Sequence, residues 1–188
     1  MNELREVLEE NPVIAAVKDD DGLAECCGIE EVKAVFVLYG DACTVVDIVR
    51  KIKIAGKKAY VHVDLIAGLS AREAAVRFIA EYTEADGIIS TKPALIAEAA
   101  KCGLQSILRI FLLDSMAIRN LEREVRTARP DAVEVLPGLM PKIIRKIAGS
   151  TRLPIIAGGL ISDREDIVNA LDAGAISVSS TNREVWKL

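Results

Sequence analysis

Short apolar runs recur along this chain roughly every two dozen residues, and each is followed by a stretch of helical periodicity. Strands are expected at 13–17, 34–39, 59–65, 86–91, 106–113, 131–136, 153–157 and 175–179. Helices are expected over 22–28, 44–55, 71–83, 94–102, 116–128, 140–148 and 164–173, with a short one from 182 onward. No hairpin signal joins neighbouring strands, so the connections must be right-handed parallel crossovers. Eight such units close into a compact α/β architecture, the (β/α)8 TIM barrel, read as a single domain over residues 1–188. At 188 residues the chain lies slightly below the usual size for that fold, which demands short loops and leaves no room for a second domain. An open doubly wound sheet is the alternative that the same alternation allows.

Local signals agree with these boundaries. Ser70 stands three residues before Glu73, the spacing of a capping box. Asp163 is placed to cap the helix at 164, Pro141 suits a first helical turn, and Gly56, Gly103, Gly149 and Gly174 are each placed to close a helix. Hydrophobic residues make up 51% of the chain but aromatic ones only 4%, which suits Ala/Val/Ile/Leu-rich parallel strands covered on both faces. The longest apolar run, 34–39, cannot cross a bilayer, and the N-terminus lacks the features of a secretory leader, so a cytoplasmic protein with no membrane partner is expected. Cys26, Cys27, Cys43 and Cys102 show no C-x-x-C spacing and are read as reduced thiols. A single histidine speaks against zinc, and no metal, cofactor or catalytic residue is assigned.

Net charge is −4, without the basic excess usual in nucleic-acid binders. Two local basic stretches stand out, one through Arg50, Lys51, Lys53, Lys57 and Lys58, the other through Lys142, Arg145 and Lys146. The bland account of both is a solvated helix end, where the helix dipole favours cations.

In a barrel, side chains alternate between the helix layer and the interior, and the C-terminal rim carries the site. On the third strand Val61, Val63 and Leu65 take the helix side, which turns Tyr60, His62 and Asp64 inward. Arg109 is inward between Leu108 and Ile110, Glu134 shares that parity, Ser177 and Ser179 point inward, and Lys92 follows Ser90-Thr91 at the rim. An unpaired interior charge is too costly to keep, so Arg109 is expected to pair with Glu134 or Asp64. Such a pair can also be mere filling, and His62 a satisfied core residue; Asp64 and Lys92, closer to the rim, are read as ligand contacts. The last third adds Pro154-Ile155-Ile156-Ala157-Gly158-Gly159-Leu160-Ile161 and Ala175-Ile176-Ser177-Val178-Ser179-Ser180-Thr181. Strands ending in small residues with free backbone N–H groups are how the last two units of such a barrel hold a phosphate. A phosphorylated small molecule is the first ligand class to consider.

Several blocks carry a resemblance in combination: Asp64-Leu65-Ile66 with Gly68-Leu69-Ser70; Asp86-Gly87-Ile88-Ile89-Ser90-Thr91-Lys92; Arg109 ahead of Phe111-Leu112-Leu113-Asp114-Ser115; Glu134-Val135-Leu136-Pro137-Gly138; Ala157-Gly158-Gly159-Leu160-Ile161; and a closing Trp186. From Val13 to Trp186 the chain resembles the glycerol uptake operon antiterminator family. The resemblance implies a regulator that senses glycerol-3-phosphate, binds the leader of messenger RNA for glycerol utilisation genes and prevents premature termination. Residue by residue, it implies that Gly158, Gly159, Ser179 and Ser180 hold the phosphate and Lys92 neutralises its charge. Asp64 and Glu134 would take the hydroxyls, while Arg109 either pairs with Glu134 or reaches the effector. For RNA the first expectation is Arg50, Lys51, Lys53, Lys57 and Lys58, with a homo-oligomer widening the footprint of an acidic chain; no aromatic RNA-recognition motif is visible. The rival is an enzyme of isomerase or glycerophosphodiester hydrolase type, with acid–base candidates in His62, Asp64, Glu134 and Lys92. Against it stand the lack of a nucleophile–base pairing, a dense metal-ligand cluster or long lid loops. A third reading is a metabolite binder whose partner is another protein.

Overall fold

The computed structural model describes residues 3–70 and 72–188. Its strands are β1 (Val13–Val17), β2 (Ala34–Val37), β3 (Lys58–His62), β4 (Gly87–Ser90), β5 (Gln105–Phe111), β6 (Ala132–Leu136), β7 (Ile155–Gly158) and β8 (Ser177–Ser180). They pair in chain order, all parallel, and β8 closes onto β1 with Val13 opposite Val178. Helix α1 (Glu3–Glu9) precedes the barrel, and the crossovers carry α2 (Asp20–Gly28), α3 (Val45–Ile54), α4 (Glu73–Tyr82), α5 (Pro93–Lys101), α6 (Ser115–Ala128), α7 (Pro141–Ser150) and α8 (Arg164–Asp172). A 3-10 turn, Arg183–Lys187, follows β8. The chain is therefore a (β/α)8 barrel, and closure removes every sheet edge.

Two apolar layers follow from the strand alternation. Val35, Val61, Leu108, Val133 and Val178 face outward into the helix layer, whereas Ile14, Phe36, Tyr60, Ile89, Ile107 and Ile156 fill the barrel interior. Helix α1, which the sequence reading did not anticipate, plugs the N-terminal end: Leu4 and Leu8, four residues apart on one face, are fully buried against that interior cluster. Buried Asn11 follows it, its side-chain carbonyl accepting the backbone N–H groups of Lys33 and Ala34 and its amide donating to the Val13 carbonyl. The Ser177 hydroxyl lies 2.7 Å from the carbonyls of both Leu8 and Asn11, so the inward serine at the base of β8 ties down the plug.

The basic stretch at 50–58 belongs to the same N-terminal end. Asp86, one residue before β4, accepts from Lys53 at 2.6 Å and from the Ala59 N–H at 2.9 Å, and pairs with Lys58 at 3.0 Å. Burial opposes its ionisation, but these donors outweigh burial and hold its carboxyl below the usual range. Lys57 is buried, its ammonium donating to the carbonyls of Ile29 and Val32. Arg50 pairs with Asp47 on the surface of α3, next to exposed Lys51. The stretch thus fastens α3, β3 and β4 together rather than presenting five uncommitted cations.

Other local expectations shift by a turn or less. Asp163 and Asp114 cap α8 and α6 as N-terminal acceptors, and Pro93 and Pro141 open α5 and α7. Gly56, Gly103 and Gly174 adopt left-handed φ of 74°, 73° and 104° after their helices. Gly149 instead lies inside α7, one residue before its end. The capping box at Ser70 does not form: Arg72 is the N-cap of α4, without a side-chain bond, and position 71 lies outside the described residues. Strand β3 stops at His62, and a 3-10 turn, Val63–Leu65, carries Asp64 over the rim and leaves Leu65 exposed rather than against the helices.

Candidate functional site

Strand register builds the centre of the C-terminal mouth. Arg109 on β5 is directly opposite Glu134 on β6, and Gly158 on β7 is opposite Ser179 on β8. The Arg109 Nε–H donates to Glu134 Oε2 at 2.6 Å, and the Ser179 hydroxyl donates to Glu134 Oε1 at 2.5 Å. Glu134 is fully buried and Arg109 is 8% exposed, so the pair is held in a low-dielectric interior with both carboxylate oxygens engaged. Of the two partners open to Arg109 in the sequence, it takes Glu134. Gly158 makes room for this network: a Cβ there would lie 2.6 Å from both Glu134 Oε1 and Ser179 Oγ.

Above the network opens a cleft of about 400 Å³. Its charged floor is Arg109 and Glu134, its wall the β7 loop from Gly159 to Ser162, and its far side Ser179 to Asn182 after β8. Gly159 and Leu160 are consecutive left-handed residues, φ 76° and 64°, which turn the loop sharply across the mouth and leave the Leu160 side chain exposed. The Asn182 amide donates to the Ser162 carbonyl at 3.1 Å, bridging the two loops. Ser180 is committed to this frame: its hydroxyl donates to Ile161 and accepts from the Asn182 N–H, while its carbonyl receives the buried Trp186 indole N–H at 2.7 Å.

Carboxylates surround the N-terminus of α8. Asp163 accepts from the Asp166 N–H, and Asp166 in turn accepts from the backbone and hydroxyl of Ser162. Two carboxylates thus stand at that terminus, and Arg109 brings a positive charge to the floor of the cleft.

Asp64 and Lys92 lie on the other side of the mouth and do not line the cleft. Asp64 accepts from the Ser90 hydroxyl, from the Thr91 N–H at 2.8 Å and from the Thr91 hydroxyl at 3.0 Å, tying the end of β3 to the end of β4. Lys92 is the exposed N-cap residue of α5. Below them His62 is buried, with Nδ1 lacking a hydrogen-bond partner among the described residues and 4.0 Å from Asp64 Oδ2. Burial, reinforced by the charge of Arg109 and opposed by Asp64, lowers its pKa to about 4, so the imidazole is neutral at pH 7.

Of the residues singled out from sequence, Arg109, Glu134, Gly159, Ser179 and Ser180 thus meet at one cleft; Gly158 stands behind it, and Asp64 and Lys92 form a separate group. Ser162 and Asn182, which line the cleft, were not anticipated, although each sits just beyond an expected phosphate-loop block. A hollow of about 470 Å³ at the opposite end of the barrel is ringed by Glu10, Glu30 and Glu31 with Lys33, a setting that repels anions. Among the described residues no three His, Cys, Asp or Glu side chains converge as metal ligands would, and no helix is long and apolar enough to cross a membrane.

Fold and cleft together define a (β/α)8 barrel with a cation at the floor of a hollow at its C-terminal mouth. Residues 13–186 match the family described as glycerol-3-phosphate responsive antiterminator, and the chain belongs to that family. An Escherichia coli (strain K12) relative described as uncharacterized protein YgcP is 45% identical over 185 residues, covering 98% of this chain and 96% of its own. Two crystal structures share the architecture. The glycerol uptake operon antiterminator regulatory protein of Listeria monocytogenes str. 4b F2365 has a TM-score of 0.89 at 28% identity, over 93% of this chain and 94% of that one. The glycerol uptake operon antiterminator-related protein of Thermotoga maritima MSB8 has a TM-score of 0.84 at 34% identity, over 95% and 99% of the two chains. The family and these neighbours indicate a regulator rather than an enzyme.

Proposed function

We propose that this protein is a cytoplasmic sensor of glycerol-3-phosphate that binds the leader of messenger RNA for glycerol utilisation genes and prevents premature termination. The observation that carries the reading is the buried Arg109, held by Glu134 and Ser179 at the floor of a cleft of about 400 Å³. Glycerol-3-phosphate is a small dianion bearing two hydroxyls. Its phosphate lies against the Arg109 guanidinium, of which only Nε–H is engaged by Glu134, and against the turn at Gly159. Its hydroxyls meet Ser179, Asn182 and the remaining lone pairs of Glu134. Lys92 adds positive field over the mouth, and Asp64 with Ser90 and Thr91 shapes the opposite rim.

Regulation follows as a population shift. The effector prefers one arrangement of the rim loops, and that arrangement holds RNA more tightly. By linkage the RNA then raises effector affinity by the same factor. Fluorescence anisotropy with a labelled transcript of the glycerol-operon leader, with and without glycerol-3-phosphate, tests this. Tighter binding in the presence of effector is expected; equal affinities would remove the sensor role.

The enzyme reading has one observation in its favour, the buried neutral His62 with an unpartnered Nδ1 beneath the rim. Glycerol-3-phosphate and related phosphate esters are expected to emerge unchanged from prolonged incubation with the protein. Turnover above background that is lost in His62→Gln would favour the enzyme.

A further inference from the structure

Several of the chain's lysines and arginines outside the site are tied to acidic partners. Lys53 and Lys58 bind Asp86, Arg77 and Lys101 bind Glu98, and Arg183 and Lys187 bind Glu25. The helices α6 and α7 carry six that are not. Arg119, Arg123 and Arg126 on α6 and Lys142, Arg145 and Lys146 on α7 are all exposed, and among the described residues none of the six forms an ion pair.

Their spacing places them on one face of each helix. Arg119, Arg123 and Arg126 follow i, i+4, i+7, on the side of α6 away from buried Leu121 and Ala128; Lys142, Arg145 and Lys146 follow i, i+3, i+4, away from buried Ile144 and Ile147. The α6 stripe is roughly 10 Å long at the rise of an α-helix. Because α6 and α7 follow the adjacent strands β5 and β6, the two basic rows lie on neighbouring parts of the barrel surface. Glu122 and Glu124 flank the α6 row, whereas the other carboxylates of this region are occupied: Asp114 caps α6, Asp131 binds Ser106 and Glu134 binds Arg109. A chain of net charge −4 thus carries six exposed cations on two consecutive helices, none of them in an ion pair among the described residues.

We propose that the solvent face shared by α6 and α7 holds the phosphates of the RNA. The inference rests on the function proposed above and replaces the surface around 50–58 as the RNA contact. It also supplies a route for regulation. Arg109 lies on β5, which leads into α6, and Glu134 on β6, which leads into α7, so an effector that repositions this pair acts on the two strands carrying the basic rows. At the head of α6 the half-exposed ring of Phe111 and the exposed Leu113 and Met116 give bases an apolar surface beside the phosphate rows.

The test compares three variants for binding a fluorescein-labelled transcript of the glycerol-operon leader by anisotropy, from low to high potassium chloride. They are Arg119→Gln/Arg123→Gln/Arg126→Gln, Lys142→Gln/Arg145→Gln/Lys146→Gln and, as a control on the other side, Arg50→Gln/Lys51→Gln. Glutamine keeps helix propensity, and circular dichroism verifies the fold. Each of the first two is expected to bind about 100-fold more weakly at 0.1 M salt, with a log–log salt slope shallower by about 2, as three lost phosphate contacts require. The control keeps wild-type affinity, and all three keep wild-type affinity for glycerol-3-phosphate. If the wild type binds the transcript and both α6 and α7 variants match it in affinity and slope, the assigned surface is wrong while the function stands. A wild type that binds no transcript with or without effector removes the function and the surface together.

Discussion

Glu134→Gln isolates the charge at the centre of the barrel without changing its shape. The amide oxygen can still accept from Arg109 Nε–H and the amide nitrogen can donate to Ser179, so hydrogen bonds survive while Arg109, 8% exposed, loses its counter-charge. Removing one partner of a buried pair costs about 3–5 kcal/mol, and the opening of Arg109 toward the cleft puts this case near the lower end. For a chain of 188 residues that corresponds to a fall in Tm of roughly 6–12 °C. Urea unfolding followed by circular dichroism measures the stability directly. Replacing both partners, Arg109→Met/Glu134→Leu, is expected to return stability to within about 1 kcal/mol of wild type, because no isolated charge remains. The same double variant should lose binding of glycerol-3-phosphate, and the effector should stabilise Glu134→Gln more than wild type by supplying the missing negative charge. A loss below about 1 kcal/mol in Glu134→Gln would show that Arg109 is hydrated and that the buried-pair argument fails. A double variant as unstable as the single one would assign the cost to packing instead.

Further outcomes follow from the same geometry. Gly158→Ala forces a methyl group to 2.6 Å from Glu134 Oε1 and Ser179 Oγ, so a stability loss of about 1–3 kcal/mol and weaker effector binding are expected in unfolding and titration experiments. His62 has a folded pKa of about 4 against an ordinary 6.5, so the unfolded chain takes up its proton first as pH falls. Its full contribution is present above pH 6.5, and about 3 kcal/mol is lost as pH drops from there through 4; His62→Gln should flatten that part of the stability profile, and identical profiles would refute the burial argument. Asp86→Ala orphans Lys53 and the Ala59 N–H, leaves Lys58 only its pairing with Glu3, and is expected to cost about 2 kcal/mol while leaving effector and RNA affinities unchanged.

The barrel was legible because parallel strands covered on both faces read as continuous apolar runs, and each run here is short and bounded by turn residues. Arg109 and Glu134 were legible for a related reason: alternation along a strand assigns parity without any knowledge of neighbours. What escaped was contact between distant parts of the chain. Lys53 meets Asp86 across 33 residues, and the carbonyls that hold Lys57 belong to Ile29 and Val32, so a run of five cations looked available when most were engaged. Helix α1 is only seven residues long and shows two apolar positions, Leu4 and Leu8, too few to stand out until the open end of the barrel supplies their partner. Asp64 and Lys92 share the rim with Arg109, but the circumference separates them, and parity alone carries no angular position around the barrel.

The cleft above Arg109 and Glu134 is proposed to bind a phosphorylated polyol. Calorimetric titration of the wild type with glycerol-3-phosphate, alongside glycerol and inorganic phosphate, tests it most directly. Saturable one-to-one binding of glycerol-3-phosphate is expected, with weaker binding of phosphate, none of glycerol, and loss of the signal in Arg109→Met/Glu134→Leu. Heat indistinguishable from dilution with glycerol-3-phosphate, or an undiminished signal in the double variant, would contradict it.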